Sequence, residues 1–244
     1  MTAALSRNPG IKTRIPEVSL VIPCLNEARN AALYEETFFK FLDEACFDSE
    51  VIFSDGGSSD GTIEIIKKIT ARRTGVRLIE AEKTASFSES IARAIPVCRG
   101  EYVVFLEADL SFSPGDISKL LAAAKAGHYD CVCGSPFLGA FEGLSLARKV
   151  LTRSANLLLR LRFGMTITSY TQIFKIFRTS VLKTLDFENK GFTLDAELVA
   201  KCLTRGFKVA EVPVIMKARD LDSSKLNAVA EIYSCLRLII KGVH

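Results

Sequence analysis

The sequence predicts an α/β fold in which a mostly parallel central sheet is covered by helices on both faces. Two observations support this fold class. Short apolar runs alternate with segments of helical composition along the first half of the chain, and such alternation is typical of parallel strands joined by crossover helices. In addition, 48% of the 244 residues are hydrophobic, which is enough to bury both faces of a sheet.

The individual elements follow from composition and periodicity. In the first half, apolar runs predict strands at residues 18–22, 50–54, 76–80, 102–106 and 129–133. The segments between them predict helices at residues 28–45, 60–73, 86–97 and 115–126. In the second half, we expect helices at residues 144–161, 195–205 and 226–241, and strands at residues 174–177 and 208–215.

The chain is expected to form one domain. Residues 1–16 are polar and basic and contain two prolines, so we expect a flexible N-terminal tail there. Beyond it there is no repeat, no low-complexity segment and no clear linker. The sequence therefore predicts a single domain over residues 17–244.

Composition argues against several classes of protein. The formal net charge of +4 is too small to indicate nucleic-acid binding, and no basic stretch is interleaved with aromatic residues. The seven cysteines are scattered and odd in number, so they do not form a disulfide framework. Cys131 and Cys133 are better interpreted as strand residues than as metal ligands. With no signal-peptide pattern and no long apolar run, we expect a cytoplasmic protein.

Three polar loops follow predicted strands. They comprise residues 23–27, 55–57 and 107–111. In parallel sheets the ligand binds beyond the carboxyl ends of the strands. The sequence therefore predicts that these loops meet at one edge and form a ligand site.

The loop after the second strand carries Asp55, which we expect to accept hydrogen bonds from a nucleotide base or ribose. Gly56 and Gly57 follow it and allow a ligand to approach the backbone closely. The next residues, 60–62, are more simply interpreted as a turn with a helix cap. The loop 23–27 is also open to the interpretation of a turn and cap, and it lacks the glycine pattern of a dinucleotide dehydrogenase.

The loop after the fourth strand carries Glu107 and Asp109, one residue apart. Two such carboxylates repel each other unless a cation lies between them, and hard divalent cations bind carboxylate and phosphate oxygens together. The loop therefore predicts a site for Mg²⁺ or Mn²⁺ formed by Glu107, Asp109 and Ser111. The alternative is a pair of solvated acids.

In order and spacing, the three loops resemble those of the large family of inverting glycosyltransferases with the GT-A fold. The family's segments P-x-x-N-E, D-D/G-G-S-x-D-G-T and D-A-D correspond to residues 23–27, 55–62 and 107–109. The resemblance implies a GT-A fold and a nucleotide-sugar donor. It also implies that Pro23, Asn26, Glu27, Asp55 and Gly57 line the nucleotide pocket, and that the acidic pair holds the metal and the diphosphate.

Motifs in the second half are similar to those of the polyprenyl-phosphate sugar synthases, which include the dolichyl-phosphate mannose and glucose synthases. The matching segments are residues 148–156, 170–177, 192–197, 211–213 and 224–226. The resemblance implies that Arg148 and Arg153 meet the phosphate of a lipid acceptor. Gln172 and Lys225 are further substrate-binding candidates.

Three positions depart from the pattern of this family. Glu107 stands where Asp is usual, Pro136 replaces an arginine that binds phosphate, and Ser169 stands where Asp is frequent. The extra methylene of Glu107 would either shift a metal by about an ångström or turn a direct contact into a water-mediated one. These departures bear on the acceptor and on activity rather than on the fold.

The resulting hypothesis is an inverting transferase that moves a hexose from a GDP- or UDP-sugar to a polyprenyl phosphate. A hydroxyl acceptor is the first alternative, and it needs a general base, for which Asp195 and Asp109 are the candidates. A non-catalytic protein that binds sugar nucleotides is the second. The helices at residues 144–162 and 226–241 either lie on the cytoplasmic face of a membrane or pack against the domain.

Overall fold

The computed structural model describes residues 15–81, 84–186, 193–218 and 228–243. In this part of the chain a seven-stranded sheet has the strand order β3-β2-β1-β4-β6-β5-β7. The strands are β1 (Val18–Cys24), β2 (Ser49–Asp55), β3 (Val76–Ile79), β4 (Tyr102–Phe105), β5 (Cys131–Glu142), β6 (Lys175–Arg178) and β7 (Val209–Lys217).

The helices lie between these strands in sequence. They are α1 (Ala28–Ala31), α2 (Lys40–Glu44), α3 (Thr62–Arg72), α4 (Phe87–Ala94), α5 (Asp116–Ala126), α6 (Leu146–Phe163), α7 (Thr179–Leu182), α8 (Leu194–Thr204) and α9 (Ala228–Lys241). A π-helical turn at Glu35–Phe39 precedes α2, and a 3₁₀ turn at Ile95–Val97 follows α4.

The sheet is mostly parallel, as predicted. β1 pairs in parallel with β2 and β4, β2 with β3, and β5 with β7. β6 is antiparallel to its neighbours β4 and β5. The fold class predicted from the sequence is therefore confirmed. The predicted tail falls largely on residues 1–14, which lie outside the described residues, and the single-domain boundary at 17–244 stays a prediction.

Buried side chains form two hydrophobic clusters, one on each face of the sheet. The cluster on what we call the α8 face includes Phe105, Cys133 and Phe177 together with Leu194 and Leu198 of α8. The cluster on the α5 face includes Leu120 of α5 and the strand residues Val104, Val132 and Ile176, each next in sequence to a residue of the first cluster. Each strand thus alternates between the faces, and both faces are covered by helices.

Two elements differ from their predicted form. The predicted helix at 28–45 is interrupted after Ala31 and continues through the π-helical turn, in which the Phe39 N–H donates to Tyr34 O at 2.8 Å. The wide turn lets Tyr34 and Phe39 pack against Phe53, while Phe38 packs against Tyr34 and Phe39. The strand predicted at 129–133 begins at Cys131 and extends to Glu142, because it pairs with β7 across an irregularity between Ser135 and Ala140.

Tyr34 connects the first helical segment to the loop after β4. Its ring stacks on Phe53 with centroids 5.5 Å apart, and its hydroxyl donates to Ala108 O at 2.5 Å. The side chain is 0% exposed. Burial is the main cause that raises the pKa of Tyr34 well above its usual value, and the nearby Cys24 and Glu27 add to it. Tyr34 therefore fixes the backbone of the acidic loop.

The close approach of Gly100 to β1 gives a first prediction. A Cβ at position 100 would lie 2.5 Å from Ser19 N and 2.7 Å from Val18 C, both backbone atoms of a central strand. We expect Gly100→Ala to lower the free energy of unfolding by about 1–3 kcal/mol through overpacking. The free energy of unfolding is measured by urea denaturation.

The control is Gly115→Ala, in which the new Cβ would meet Ser113 Oγ at 3.4 Å. This variant should change stability by less than about 0.5 kcal/mol. Equal midpoints for the two variants would refute the packing argument.

Tyr34 gives a second prediction, which depends on pH. We expect Tyr34→Phe to cost about 1 kcal/mol at pH 7, because Ala108 O loses its buried donor. Above pH 10 an unfolded tyrosine ionises while the folded Tyr34, with its raised pKa, stays protonated, so the wild type loses stability as the pH rises. The variant lacks this loss at position 34. The difference between the two proteins in urea unfolding should therefore shrink from pH 7 to pH 11, and a constant difference would contradict the assignment.

Candidate active site

The carboxyl ends of β1, β2 and β4 bring the three polar loops together at one edge of the sheet. Pro23 lies beside Ser54, and Cys24 lies beside Asp55. On the other side of β1, the Leu106 N–H donates to Val21 O at 3.0 Å and extends the ladder one residue beyond β4. The predicted convergence of residues 23–27, 55–57 and 107–111 is present in the structure.

The first two loops are joined by hydrogen bonds through Asn26. This residue has a φ of 53°, and its N–H donates to Ser58 Oγ at 2.8 Å. Its side-chain Oδ1 accepts the Ser59 N–H at 2.8 Å. Asn26 thus lies at the predicted site, and in this structure its side chain holds the loop after β2 in place.

Asp60 and Thr62 anchor the start of α1. The Glu27 N–H donates to Thr62 Oγ1 at 2.8 Å, and the Ala28 N–H donates to Asp60 Oδ2 at 3.0 Å. Burial alone would raise the pKa of Asp60, but hydrogen bonds from Thr62 and Ala28 outweigh it and lower the pKa below its usual value. The turn at residues 60–62 is present, but the predicted side-chain cap of α3 is not, because the N-cap of that helix is Gly61 and carries no side-chain hydrogen bond. Asp60 instead accepts hydrogen bonds from its own turn and from the start of α1.

Asp55 is 0% exposed at the end of β2. Its Oδ2 accepts the N–H groups of Gly57 at 2.7 Å and Ser58 at 2.8 Å, and its Oδ1 accepts the Ser58 hydroxyl. Gly57 has a φ of 94°, which this turn requires. The carboxylate therefore shapes its own loop in this structure, and direct contact of Asp55 or Gly57 with a nucleotide stays a prediction.

Glu107 and Asp109 are both partly buried at the end of β4. Asp109 Oδ1 accepts the Ser111 N–H at 3.0 Å and the Ser111 hydroxyl at 2.6 Å. Ser111 therefore orients the carboxylate of Asp109, and its predicted role as a metal ligand stays a prediction. The Leu110 N–H donates to Glu107 O at 3.1 Å and closes the turn between the two acids.

The acidic loop fits a metal that is shared with a substrate. Among the described residues, no group of three or more acidic, histidine or cysteine side chains could hold a metal ion on its own. Mg²⁺, however, is commonly bound by one or two carboxylates together with substrate phosphates. The two carboxylates of the loop match that donor set.

Asp195 is 1% exposed within α8. Its neighbour Glu197 forms a buried ion pair with Lys201, with Nζ and Oε1 separated by 3.3 Å. Lys201 Nζ also donates to Asp186 O at 2.6 Å. Because Asp195 has almost no contact with solvent here, a hydroxyl acceptor would reach it only after a rearrangement, and its role as a general base stays a prediction.

The two arginines expected to meet an acceptor phosphate lie on α6 rather than on the three polar loops. Arg148 and Arg153 are exposed on that helix, whereas Gln172 is buried in the segment before β6. Asn156 links the two elements, because its Oδ1 accepts the Tyr170 N–H at 2.7 Å and its Nδ2 donates to Thr171 Oγ1 at 2.9 Å. Lys225 lies outside the described residues.

Glu211 of β7 also holds the segment before β6. Its Oε2 accepts the N–H and the hydroxyl of Thr168 at 2.7 and 2.8 Å, and its Oε1 accepts the Ser169 N–H at 2.6 Å. Sequence reasoning placed Asn156 and Glu211 inside matching segments but gave them no role. Glu211 is an acid in the mostly apolar β7, whereas Asn156 is one of many polar residues of α6, and only the tertiary contacts identify what they bind.

The family comparison agrees with this geometry. The profile described as "Glycosyl transferase family 2" matches residues 19–186, more than half of the chain. A polyprenol monophosphomannose synthase from Mycolicibacterium smegmatis is 28% identical over 222 residues, covering 85% of this chain and 80% of that protein. The glycosyltransferase AglD from Haloferax volcanii is 29% identical over 205 residues, covering 81% of this chain but 32% of that longer protein.

Solved structures show the same fold at low sequence identity. A glucosyl-3-phosphoglycerate synthase from Mycobacterium tuberculosis, in complex with phosphoglyceric acid, superposes with a TM-score of 0.71 and 18% identity, covering 94% of this chain and 81% of that one. The complex of that enzyme with Mn²⁺ and UDP-glucose gives a TM-score of 0.68 and 19% identity, covering 92% and 77%. The predicted GT-A fold is thereby confirmed. The chain belongs to glycosyl transferase family 2 and is a glycosyltransferase.

Proposed function

We propose that the protein transfers a hexose from a nucleoside-diphosphate sugar to a polyprenyl phosphate, with inversion at the anomeric carbon. The observation that carries the proposal is the convergence of residues 23–27, 55–61 and 107–111 at one edge of the sheet. The similarity to a polyprenol monophosphomannose synthase supports the lipid acceptor. The donor is a GDP- or UDP-hexose.

On the donor side, the protein's own groups orient the nucleotide sugar. Loops 23–27 and 55–61 are fixed to each other by the bonds of Asn26 and Asp60, so a nucleotide would meet a preorganised surface. Glu107 and Asp109 would hold Mg²⁺ or Mn²⁺, which supplies charge neutralisation for the leaving diphosphate when bound. Ser111 keeps the Asp109 carboxylate oriented.

On the acceptor side, a phosphate monoester needs positioning more than it needs a base. Its second pKa is about 6, so it is largely dianionic at neutral pH. Arg148 and Arg153 are exposed on α6 and would bind that anion. Asn156 of the same helix ties α6 to the segment that carries Gln172. Lys225 is a further candidate for the phosphate contact.

A hydroxyl acceptor is the second candidate function. Pro136 favours it, because this chain lacks a cation at the position where the polyprenyl-phosphate synthases carry a phosphate-binding arginine. Asp195 or Asp109 would then act as the base. The structural neighbour from Mycobacterium tuberculosis is by its description a glucosyl-3-phosphoglycerate synthase and so differs in acceptor.

Peripheral contact with a membrane is supported by an apolar surface on α6 and α9. Within the described residues, none of the helices combines the length and apolar character needed to span a bilayer. Large apolar side chains are nevertheless exposed on these two helices, namely Leu146, Val150, Leu157, Leu158, Leu161, Tyr233, Leu236 and Ile240. The helices are in contact, and Arg162 Nε donates to Ile239 O at 3.1 Å. Apolar residues beside Arg148 and Arg153 match the pattern of interfacial helices.

The donor and acceptor assignments give a third prediction. Purified protein should transfer sugar from one of GDP-mannose, GDP-glucose, UDP-glucose or UDP-galactose to a short polyprenyl phosphate in the presence of Mg²⁺ or Mn²⁺. Asp109→Asn should lower this rate by at least about a hundred-fold, because it removes the carboxylate that neutralises the leaving group. Asp116→Asn, which alters a carboxylate paired with Lys119 on α5, serves as the control.

Asp195→Asn separates the two acceptor classes in the same assay. With a phosphate acceptor this variant should keep most of its activity, since no base is required. With a hydroxyl acceptor the loss should be severe. Full activity of Asp109→Asn would remove the metal-site assignment.

Membrane contact gives a fourth prediction. The wild type should float with vesicles that contain anionic lipid at low salt, and flotation should weaken as salt rises. Leu157→Glu combined with Leu161→Glu should abolish flotation, because both exposed residues lie on the apolar stripe of α6. Leu33→Glu, at an exposed apolar residue away from these helices, should float normally. A wild type that stays in solution under all these conditions would remove the membrane contact.

A further inference from the structure

Lys175 is a buried lysine that the proposed chemistry does not use. It is the first residue of β6 and is 0% exposed. Within the described part of the chain, its Nζ has no hydrogen-bond partner. An unpaired ammonium group is costly to bury. A buried polar group without a partner is a candidate for a functional role.

Strand register places Lys175 close to the acidic loop. Lys175 lies beside Phe105 of β4 and beside Cys133 of β5. Both neighbours belong to the cluster on the α8 face, whereas Ile176 belongs to the cluster on the α5 face. Directly paired residues share a face of the sheet, so the side chain of Lys175 is on the α8 face.

Glu107 is on the same face, two residues beyond Phe105. Leu106 continues the ladder and packs on the α5 face, so the alternation of the strand returns Glu107 to the α8 face. With a rise of about 3.3 Å per residue and about 4.8 Å between strands, the Cα atoms of Lys175 and Glu107 are roughly 8 Å apart. The charge of Lys175 therefore lies beneath the proposed donor site.

Ser169 adds no charge near Lys175. Its Oγ is buried and has no hydrogen-bond partner among the described residues. Its N–H donates to Glu211. Glu211 and Lys175 pair with Cys133 from opposite sides of β5, so the three residues form one row across the sheet. An acid at position 169, which is frequent in the polyprenyl-phosphate synthases, would bring a carboxylate toward this row. The serine brings none. The Glu211 carboxylate accepts hydrogen bonds from the backbone N–H groups of residues 168 and 169 and from the Thr168 hydroxyl, and none from Lys175.

We propose that Lys175 is an electrostatic positioning residue of the donor site, a fixed buried charge that favours a diphosphate anion at the edge of the sheet. The inference rests on the proposed donor site. No direct contact is needed, which is consistent with complete burial, because a charge about 10 Å away inside a protein changes anion binding by about ten-fold. Salt screens such a charge less than it screens a surface lysine.

The same charge opposes a cation in the acidic loop. Lys175 should therefore weaken the binding of a divalent metal in the absence of nucleotide and strengthen the binding of a diphosphate in the absence of metal. A residue with only a packing role would weaken both when replaced, or neither. Opposite changes in metal affinity and diphosphate affinity therefore distinguish an electrostatic role from a packing role.

The test compares Lys175→Met with the wild type and with Lys183→Met. Methionine has a similar length but no charge. Lys183 is exposed at the opposite edge of the sheet, where its Nζ donates to Cys98 O at 2.9 Å. Calorimetry measures UDP and GDP binding without metal and Mn²⁺ binding without nucleotide, and thermal unfolding measures stability. We expect Lys175→Met to bind the diphosphate about ten-fold more weakly, to bind Mn²⁺ more tightly, and to unfold at a higher temperature.

Each alternative outcome has a distinct meaning. A wild type that binds neither nucleotide would overturn the proposed donor site and this inference together. Normal nucleotide binding by both the wild type and Lys175→Met would overturn the role of Lys175 alone. A lower unfolding temperature for Lys175→Met, with both ligands bound more weakly, would assign it a structural role instead. Matching shifts in Lys183→Met would attribute the effect to net charge.

Discussion

The parallel register of β2, β1 and β4 is the constraint on which the rest of the structure depends. Because these strands run side by side in one direction, their following loops must leave the sheet at one edge. Peptide groups in such loops have no partners in the sheet, and buried backbone groups need partners. Asn26, Asp55 and Asp60 provide them. The same polar side chains that satisfy the loops thereby build a preorganised surface.

Much of this organisation could be predicted from the sequence, because it depends on local signals. The apolar runs identify β1, β2 and β4, and the parallel rule then places Asp55 and Asp109 at one edge. The role of Asp55 was harder to predict. A carboxylate after a strand can bind a ligand or its own loop with the same composition, and only the hydrogen bonds from Gly57 and Ser58 distinguish the two.

Other features depend on contacts between residues that are distant in sequence. The extension of β5 to Glu142 rests on pairing with β7 rather than on a periodic pattern. Glu211 is close to its partners, Thr168 and Ser169, because β7 pairs with β5 at the edge of the sheet. Burial of Asp195 and Lys175 likewise depends on the packing of helices against the sheet. From the sequence alone, charged residues are expected to be exposed. Burying them lowers the stability of the fold, and a role in function can explain why they are kept.

The central claim is that one nucleotide site is formed jointly by the loops after β1, β2 and β4. Hydrogen exchange with and without the preferred nucleotide sugar and Mn²⁺ tests it most directly, because bound backbone segments open less often. The account predicts added protection at residues 23–28, 55–62 and 107–111 together, in proportion to occupancy. Protection at only one of these loops, or at the opposite edge of the sheet around Gly100, would contradict it.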